Sequence, residues 1–346
     1  MPTSAAAREA TLMAGEAGEA AAAVRRMLAA NAGTFRAIAD RLRRHPPAAV
    51  VTCGRGSSDH AATYAKYLIE TGLGIPTASA ALSIASIYRA AAAPGDRLCL
   101  AISQSGRSPD LLAAVQQQRD AGAFVVALVN AESSPLGEMA DAVVALSAGA
   151  ERSVAATKSY IASLAAIAAL VAAWSRDDAL EAALGDLPDH LDRAFALDWS
   201  AAVPALAGAR SLFVLGRGYG LGIAQEAALK FKETCALHAE CFSAAEVRHG
   251  PMAIVGDAFH VLAFGGSDPA ARSVREVAEE FRDRGANVLL ADPDADHADL
   301  PAIAAHPALE PILMVQAFYR MANTLGLARG CDPDSPPHLN KVTRTV

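Results

Sequence analysis

Aromatic residues and cysteines are scarce in this chain, and the cysteines do not pair up. Only 5% of the 346 residues are aromatic while 53% are hydrophobic, so small aliphatic side chains must fill the core. This length predicts two domains, each with its own core. The five cysteines are odd in number and lie mostly in apolar contexts, which predicts reduced thiols in a cytoplasmic protein. They are Cys53, Cys99, Cys235, Cys241 and Cys331.

Several classes of partner lack the features they would need. The net charge is −7 and the basic residues are scattered, so nucleic acid is not expected. No run of about 18 apolar residues is recognisable without charges or turn signals, so no membrane span is expected. The N-terminus lacks the basic-then-apolar pattern of a signal peptide. His238 and Cys241 are close together, but no second pair completes a zinc site, so we expect no metal.

Glycines follow two predicted strands but do not make a cofactor motif. Gly54-Arg-Gly and Gly216-Arg-Gly would need a third glycine where Asp59 and Leu221 stand. A dinucleotide site is therefore disfavoured. A P-loop is excluded because neither loop has its spacing or its lysine. The expected partner is a small molecule, and no cofactor is predicted.

The order of hydrophobic segments predicts an α/β fold with parallel sheets. Two helices are expected over residues 8–44, with a break at Asn31-Ala-Gly. Strands at 48–53, 97–102, 123–129 and 142–146 alternate with helices, which is typical of a parallel sheet covered on both faces. A long helix is predicted from Ser153 to Trp174. Another, over 177–203, should be interrupted at Pro188 and ended by Pro204.

The second half of the chain repeats the first. Gly54-Arg-Gly aligns with Gly216-Arg-Gly at an offset of 162 residues, and the strand at Leu98 aligns with the one at His260 at the same offset. A third strand aligns one residue further on, and a helix at 307–328 closes the second copy. We therefore predict a duplicated domain. The boundaries are 1–44 for N-terminal helices, 45–190 and 191–330 for the two copies, and 331–346 for a proline-broken tail.

One predicted helix carries charge inside an apolar surround. Glu226, Lys230 and Glu233 fall on one helical face, while the other faces are too apolar for a surface helix. A surface ion pair is the simpler interpretation of Glu226 and Lys230, but burial favours a functional one. The turn Glu246-Val-Arg-His-Gly-Pro is expected to place the His249 imidazole beside these carboxylates, a set suited to proton transfer.

The loop Ser103-Gln-Ser-Gly-Arg-Ser-Pro differs from its counterpart in the second copy. Hydroxyl and backbone N–H groups at a helix N-terminus can bind an anion. Ser108 is also a candidate helix cap, but a cap does not explain Ser103, Gln104 and Ser105. The counterpart loop contains Asp268, which would repel an anion, so phosphate binding is predicted in the first copy only.

These motifs resemble sugar isomerase (SIS) domains over about residues 35–346. The resemblance rests on Ile102-Ser-Gln-Ser-Gly, Gly149-Ala-Glu-Arg-Ser-Val-Ala-Ala-Thr-Lys, Ala227-Ala-Leu-Lys-Phe-Lys-Glu, Glu246-Val-Arg-His-Gly-Pro and Leu339-Asn-Lys-Val-Thr. More narrowly, the chain resembles the tandem isomerase half of glucosamine-6-phosphate synthase and its stand-alone deaminase relatives. The resemblance implies two three-layer αβα domains, an amino-sugar phosphate ligand and a homodimer with shared active sites.

The resemblance also assigns roles to individual residues. It implies that phosphate is held by Ser103, Gln104, Ser105 and Ser108, and that the sugar is contacted by Ser57 or Ser58 and by the Val154 backbone. Glu233 would move the proton between C1 and C2, His249 would assist ring opening, and Lys341 would form or support an imine, with Lys230 and Glu226 nearby. Two departures affect sugar placement: the loop after Gly54 is longer than in the synthase, and Asn340 replaces a small residue.

The short segment before the first strand leads to the expected direction of reaction. Fewer than fifty residues precede that strand, so no glutaminase domain is expected in the chain. The predicted reaction is therefore glucosamine 6-phosphate plus water giving fructose 6-phosphate and ammonia. Alternatives are a fructosamine-6-phosphate deglycase, a glutaminase-less isomerase of the synthase type, and a non-catalytic sugar-phosphate sensor.

Overall fold

The computed structural model of this protein describes residues 11–341. Residues 1–10, which belong to the predicted N-terminal helical region, and 342–346, the end of the predicted tail, lie outside the described residues. The described chain divides into two compact units. The N-terminal unit comprises residues 22–150, 159–185 and 340–341, and the C-terminal unit comprises 11–21, Glu151–Lys158 and Asp186–Leu339.

Each unit contains a five-stranded parallel sheet. The first has the order β2-β1-β3-β4-β5 and the second the order β10-β9-β8-β6-β7. The strands are β1 Ala49–Cys53, β2 Thr77–Ser79, β3 Arg97–Ser103, β4 Phe124–Val129, β5 Ala142–Ala145, β6 Ser211–Gly216, β7 His238–Ser243, β8 His260–Phe264, β9 Asn287–Asp292 and β10 Leu300–Pro301.

Helices cover both faces of each sheet, as the predicted three-layer αβα fold requires. They are α1 Leu12–Gly18, α2 Ala20–Arg44, α3 Ser57–Leu73, α4 Ser83–Ser86, α5 Pro109–Asp120, α6 Pro135–Met139, α7 Lys158–Ser175, α8 Asp178–Phe195, α9 Ala202–Ala207, α10 Leu221–Cys235, α11 Ala271–Asp283 and α12 Glu310–Ala328.

The internal duplication is confirmed by the topology. Read from β7, the second sheet has the order β7-β6-β8-β9-β10, which corresponds strand for strand to β2-β1-β3-β4-β5. The central strands β3 and β4 are buried almost throughout because helices cover both faces. The first core contains Cys99, Ala101, Val125 and Ala127 beneath α5. The second packs Phe213 and Val261 against Phe281 of α11.

The helix boundaries differ from the prediction in four places. Helix α2 runs through the expected break at Asn31, whose side chain donates to Met27 O and Ala145 O, both at 2.8 Å. Helix α8 runs through Pro188, where Leu187 and Leu191 are fully buried and their packing offsets the lost hydrogen bond. Helix α7 starts at Lys158 rather than Ser153, and Pro204 lies within α9 instead of ending a helix.

Helix α7 also corrects the expectation that no apolar run is long enough to cross a membrane. Its 18 residues pass that test by length and hydropathy, with a mean hydropathy of 1.4. However, 89% of this segment is buried inside the fold, as is typical of a core helix. The apolar run is therefore explained by packing.

Candidate active site

Two loops of the N-terminal unit meet at one edge of its sheet. Strands β1 and β3 are neighbours, and the chain leaves them towards opposite sides, to β2 and to β4. The carboxyl ends of two such strands form a crevice where α/β sheets bind ligands. Here the loops that line it are Gly54–Gly56 after β1 and Gln104–Ser108 after β3.

The second loop wraps around a glycine that no other residue could replace without strain. Gly106 has a φ of +63°, and an added Cβ would lie 2.2 Å from Ser134 Oγ. The buried Ser103 hydroxyl accepts a hydrogen bond from the Gly106 N–H at 2.9 Å, which closes the loop. These contacts shape the backbone just before α5 begins at Pro109.

The remaining polar side chains of this loop are available to a ligand. Gln104, Ser105 and Ser108 are partly exposed and have no side-chain hydrogen-bond partner among residues 11–341. Ser108 occupies the N-cap position but makes no side-chain cap, so that prediction is wrong. The physical reason is that the Leu111 N–H donates to Asp110 Oδ1 instead, at 2.8 Å. An uncapped N-terminus of a 12-residue helix, surrounded by amide and hydroxyl groups, suits an anion.

Arg55 joins the two loops and was missed by the sequence analysis. Its Nε donates to Asp110 Oδ2 at 3.0 Å, and its Nη2 lies 3.0 Å from the same oxygen. Asp110 is fully buried, whereas 56% of the Arg55 side chain is exposed. Arg55 was considered only as part of a glycine motif, although an arginine after a strand at this edge is itself a signal for anion binding.

Ser57 and Ser58 begin α3 beside Arg55. The helix follows Gly56, whose φ of +54° suits glycine, and it has no side-chain cap. Both serines are partly exposed, and the Ser58 N–H donates to Arg55 O at 3.1 Å. As the first two residues of α3, both serines lie at this edge of the sheet.

The C-terminal unit carries the predicted charged face on α10. Lys230 Nζ lies 3.2 Å from Glu226 Oε1 and 2.6 Å from Glu233 Oε2. Glu226 and Lys230 are buried, and Tyr319 Oη donates to Glu226 at 3.2 Å. Glu233 is the accessible member, with 20% of its side chain exposed. The surface-pair interpretation is wrong because α10 is buried among apolar neighbours.

The two carboxylates keep Lys230 protonated. Burial opposes its positive charge, but attraction to Glu226 and then to Glu233 outweighs burial and raises the Lys230 pKa above its usual value. Lys230 therefore does not exchange protons near neutral pH. Its ammonium group orients the Glu233 carboxylate, and Glu233 alone of the three can reach a ligand from solvent.

His249 lies in a 3₁₀ turn, Glu246–His249, followed by Gly250 with a φ of +140°. The imidazole is exposed. In the described part of the chain, no hydrogen bond or ion pair joins it to Glu226 or Glu233. The expectation that this turn brings the imidazole beside those carboxylates stays a prediction.

The Val154 segment is held firmly within the C-terminal unit. The buried carboxylate of Glu16 accepts hydrogen bonds from the Arg152 and Ser153 N–H groups. The Val154 N–H donates to Asp334 O at 3.3 Å. Lys341 is the last described residue and is partly exposed.

In the second copy, an aspartate occupies the position that corresponds to the phosphate loop of the first copy. Asp268 Oδ1 accepts from the Ala271 N–H at 3.0 Å at the start of α11, where Ser105 and its neighbours lie in the first copy. An added Cβ on Gly218 would lie 2.5 Å from Asp268 Oδ2, so the carboxylate fills this loop closely. Burial raises the pKa of Asp268, although backbone N–H groups oppose the shift. No group of three or more His, Cys, Asp or Glu residues in 11–341 could hold a metal ion.

Comparison with known proteins identifies the family. The SIS domain model matches residues 47–173 and 205–292, which include both sheets up to β9. The chain belongs to the SIS domain family. A candidate phosphosugar isomerase from Silicibacter pomeroyi DSS-3 is 42% identical to this SIS protein, with a TM-score of 0.88, over 94% of this chain and 100% of its own.

Two further relatives bear on the chemistry. The isomerizing glutamine–fructose-6-phosphate aminotransferase of Symbiobacterium thermophilum is 35% identical over 316 residues, 85% of this chain and 51% of its own length. The SIS protein thus spans about half the length of the curated relatives it matches. A glucosamine-6-phosphate deaminase from Thermotoga maritima has a TM-score of 0.78 at 20% identity, covering 97% of this chain and 100% of its own, which shows a shared fold alone.

Proposed function

We propose that this SIS protein is a sugar-phosphate isomerase acting on an amino-sugar 6-phosphate. The observation that supports this proposal is that the two copies carry different functional groups. One copy keeps an uncapped helix N-terminus with free hydroxyl and amide groups, and the other carries an accessible carboxylate oriented by a buried ammonium group. A phosphate anchor and a positioned base are the two requirements for isomerising a sugar phosphate.

The proposed reaction converts glucosamine 6-phosphate and water to fructose 6-phosphate and ammonia. Ser103, Gln104, Ser105 and Ser108 bind the phosphate group, which is unchanged. After His249 assists ring opening, Glu233 takes the proton from C2 and returns it to C1. The C1 aldehyde becomes an alcohol and the C2 amine an imine, which water hydrolyses to the ketone with release of ammonia.

Other residues position the reactants in this proposal. Ser57 or Ser58 and the Val154 backbone contact the sugar hydroxyls. Lys341 forms or supports an imine at C2. Lys230 and Glu226 act through Glu233, because Lys230 keeps its proton and Glu226 is enclosed. The active form is a homodimer in which His249 of the partner subunit completes each site.

The aminating direction is a second candidate, because the curated relatives are named as isomerizing aminotransferases. Both directions use the same proton transfer, so the same residues serve either one. They differ in whether ammonia is a product or a substrate, and both can be measured on one preparation.

An ammonia-release assay on several sugar phosphates tests the proposal. Glucosamine 6-phosphate should release ammonia and form fructose 6-phosphate, whereas unphosphorylated glucosamine should react far more slowly. Fructosamine 6-phosphate tests the deglycase alternative, and fructose 6-phosphate with ammonium tests the aminating direction. Tight sugar-phosphate binding without turnover of any of these compounds would contradict an enzyme and support a sensor.

A further inference from the structure

A second cavity lies at the opposite edge of the first sheet. It has a volume of about 300 Å³ and is lined by the end of α2, the His45-Pro-Pro connection and the first residues of β3 and β4. Ser103 lies at the other end of β3, which is seven residues long. At a rise of about 3.3 Å per residue, the two edges are separated by roughly 20 Å. The cavity is therefore separate from the proposed phosphate loop.

Positive charge is concentrated in this cavity. Arg41, Arg44, His45 and Arg97 line it, and Asp96 is the single carboxylate in the lining. Among residues 11–341, none of these three arginines forms an ion pair, and neither does Asp96. Three guanidinium groups in one cavity repel each other, and the whole chain is negative at −7. Such a cluster gains stability when an anion joins it.

Favourable interaction with the dipole of α2 explains only two of the three arginines. Arg41 and Arg44 lie in the last turn of α2, where cations interact favourably with the helix dipole, and Arg44 Nε donates to Asp40 O at 3.2 Å. Arg97 does not belong to that helix, because it begins β3. It still lines the same cavity.

Two contacts hold the guanidinium groups in place. The Arg41 guanidinium carbon lies 4.1 Å from the centre of the Phe124 ring, a cation–π contact. Arg97 Nη2 donates to Ala93 O. Arg97 Nε is buried and has no hydrogen-bond partner within the described chain. A buried donor without a partner is costly.

We propose that this cavity binds a small phosphate-bearing anion. Arginine donors match phosphate oxygens, and the cavity volume suits a small molecule better than a polymer. The site is additional to the proposed active site and does not depend on the proposed reaction.

The test is calorimetric titration of the full chain with inorganic pyrophosphate at low ionic strength. The Arg41→Gln/Arg97→Gln variant should bind about tenfold more weakly or worse, since charge-assisted hydrogen bonds are lost. The matched control is Arg36→Gln/Arg119→Gln, which removes the same charge from exposed positions of the same unit. The control should stay within about twofold of wild type. Equal weakening in both variants would overturn the proposal.

A Ser103→Ala/Ser105→Ala background separates this cavity from the phosphate loop. Pyrophosphate binding that remains in that background and is lost in the cavity variant supports the proposal; binding abolished by the serine changes alone overturns it. If Arg97→Gln prevents folding, Arg41→Gln/Arg44→Gln replaces it, because both residues are exposed. Competition with inorganic phosphate, glucosamine 6-phosphate and a nucleoside monophosphate identifies the source of the phosphate. Failure of all three to displace the probe would exclude phosphate esters and inorganic phosphate.

Discussion

Arg55 and Asp110 connect the two loops of the proposed phosphate site through a single carboxylate oxygen, with Nε and Nη2 both 3.0 Å from Oδ2. Asp110 is fully buried at the second position of α5. A carboxylate at this place would repel a phosphate group bound at the helix N-terminus. Arg55 neutralises it, and its remaining N–H donors have no partner among residues 11–341 and can face a ligand.

Replacement of Arg55 should weaken phosphate binding, because the negative charge of Asp110 is then no longer neutralised. We expect Arg55→Ala to raise the Kd for fructose 6-phosphate about tenfold, since a charge-assisted interaction is typically worth about 1.5–3 kcal/mol. Arg55→Ala/Asp110→Asn should recover most of the loss because the repelling charge is gone. Calorimetry measures both, with Arg119→Ala at the other end of α5 as the control. A double variant no better than Arg55→Ala would mean that Arg55 contacts the phosphate itself.

Glu233→Gln should abolish most turnover and spare binding. A positioned general base contributes about 10²–10⁴-fold to rate, so kcat should fall by that factor while the Kd for fructose 6-phosphate changes little. Glu240→Gln, an exposed carboxylate on β7, is the control and should retain activity. Near-normal turnover in Glu233→Gln would remove this residue from the mechanism.

Lys230 should be a major determinant of stability. Lys230→Met leaves Glu226 buried without its charge partner, which typically costs about 3–5 kcal/mol in the free energy of unfolding. Glu226→Leu/Lys230→Met should be less destabilised, because no buried charge then remains unpaired. Urea denaturation monitored by circular dichroism measures both variants. Equal losses in the single and double variants would show that packing, not charge, sets the cost.

The raised Lys230 pKa also predicts a dependence on pH. Its stabilising contribution is fully present below the ordinary lysine value of 10.5 and is lost as pH rises towards the higher value in the folded state. The difference in unfolding free energy between wild type and Lys230→Met should therefore be constant from pH 7 to about 10 and shrink above that. A difference that shrinks below pH 9 would contradict the raised pKa.

The exposed position of His249 suits a site shared between two subunits. If so, mixing inactive Glu233→Gln chains with inactive His249→Ala chains should restore about a quarter of wild-type activity after subunit exchange. Half the dimers are then mixed, and each mixed dimer has one site with neither change. Mass spectrometry of the intact dimers confirms exchange. Verified exchange without recovered activity would place His249 in the site of its own chain.

Lys341 can be tested by chemical trapping. Borohydride reduction with fructose 6-phosphate should attach the sugar to Lys341 if that residue forms an imine, and peptide mass spectrometry locates the adduct. Lys232, on the same helix as Glu233, is the control lysine and should remain unmodified. Labelling of another lysine in place of Lys341 would reject the covalent role.

The parts of the fold that repeat a strong pattern could be predicted from the sequence. The buried strands β1, β3, β4, β6, β8 and β9 are short apolar runs at a nearly constant offset, which made both sheets and their duplication recognisable. The edge strands β2, β7 and β10 were not predicted. Strand β7, His-Ala-Glu-Cys-Phe-Ser, mixes polar and apolar residues because its exposed edge position requires little burial.

Predictions from local sequence were wrong or incomplete where contacts between residues far apart in the sequence determine the structure. The Asn31 amide bonds to Ala145, more than a hundred residues away, and an apparent helix break thereby becomes a helical contact. The Arg55–Asp110 pair was equally hidden, since its members are 55 residues apart and only the sheet order brings them together. The charged face of α10 could be predicted because its spacing is local.

The Asp268 carboxylate gives the second copy an anion of its own at the start of α11. This carboxylate is covalently attached and occupies the N-terminus of α11 at every ligand concentration, so this helix needs no bound phosphate. In the proposed reaction, the phosphate loop of the first copy is occupied only when a phosphate ester is bound. Ligand binding to the native state alone stabilises it by mass action. Fructose 6-phosphate should therefore raise the melting temperature of the wild-type protein, and Ser103→Ala/Ser105→Ala should reduce that rise.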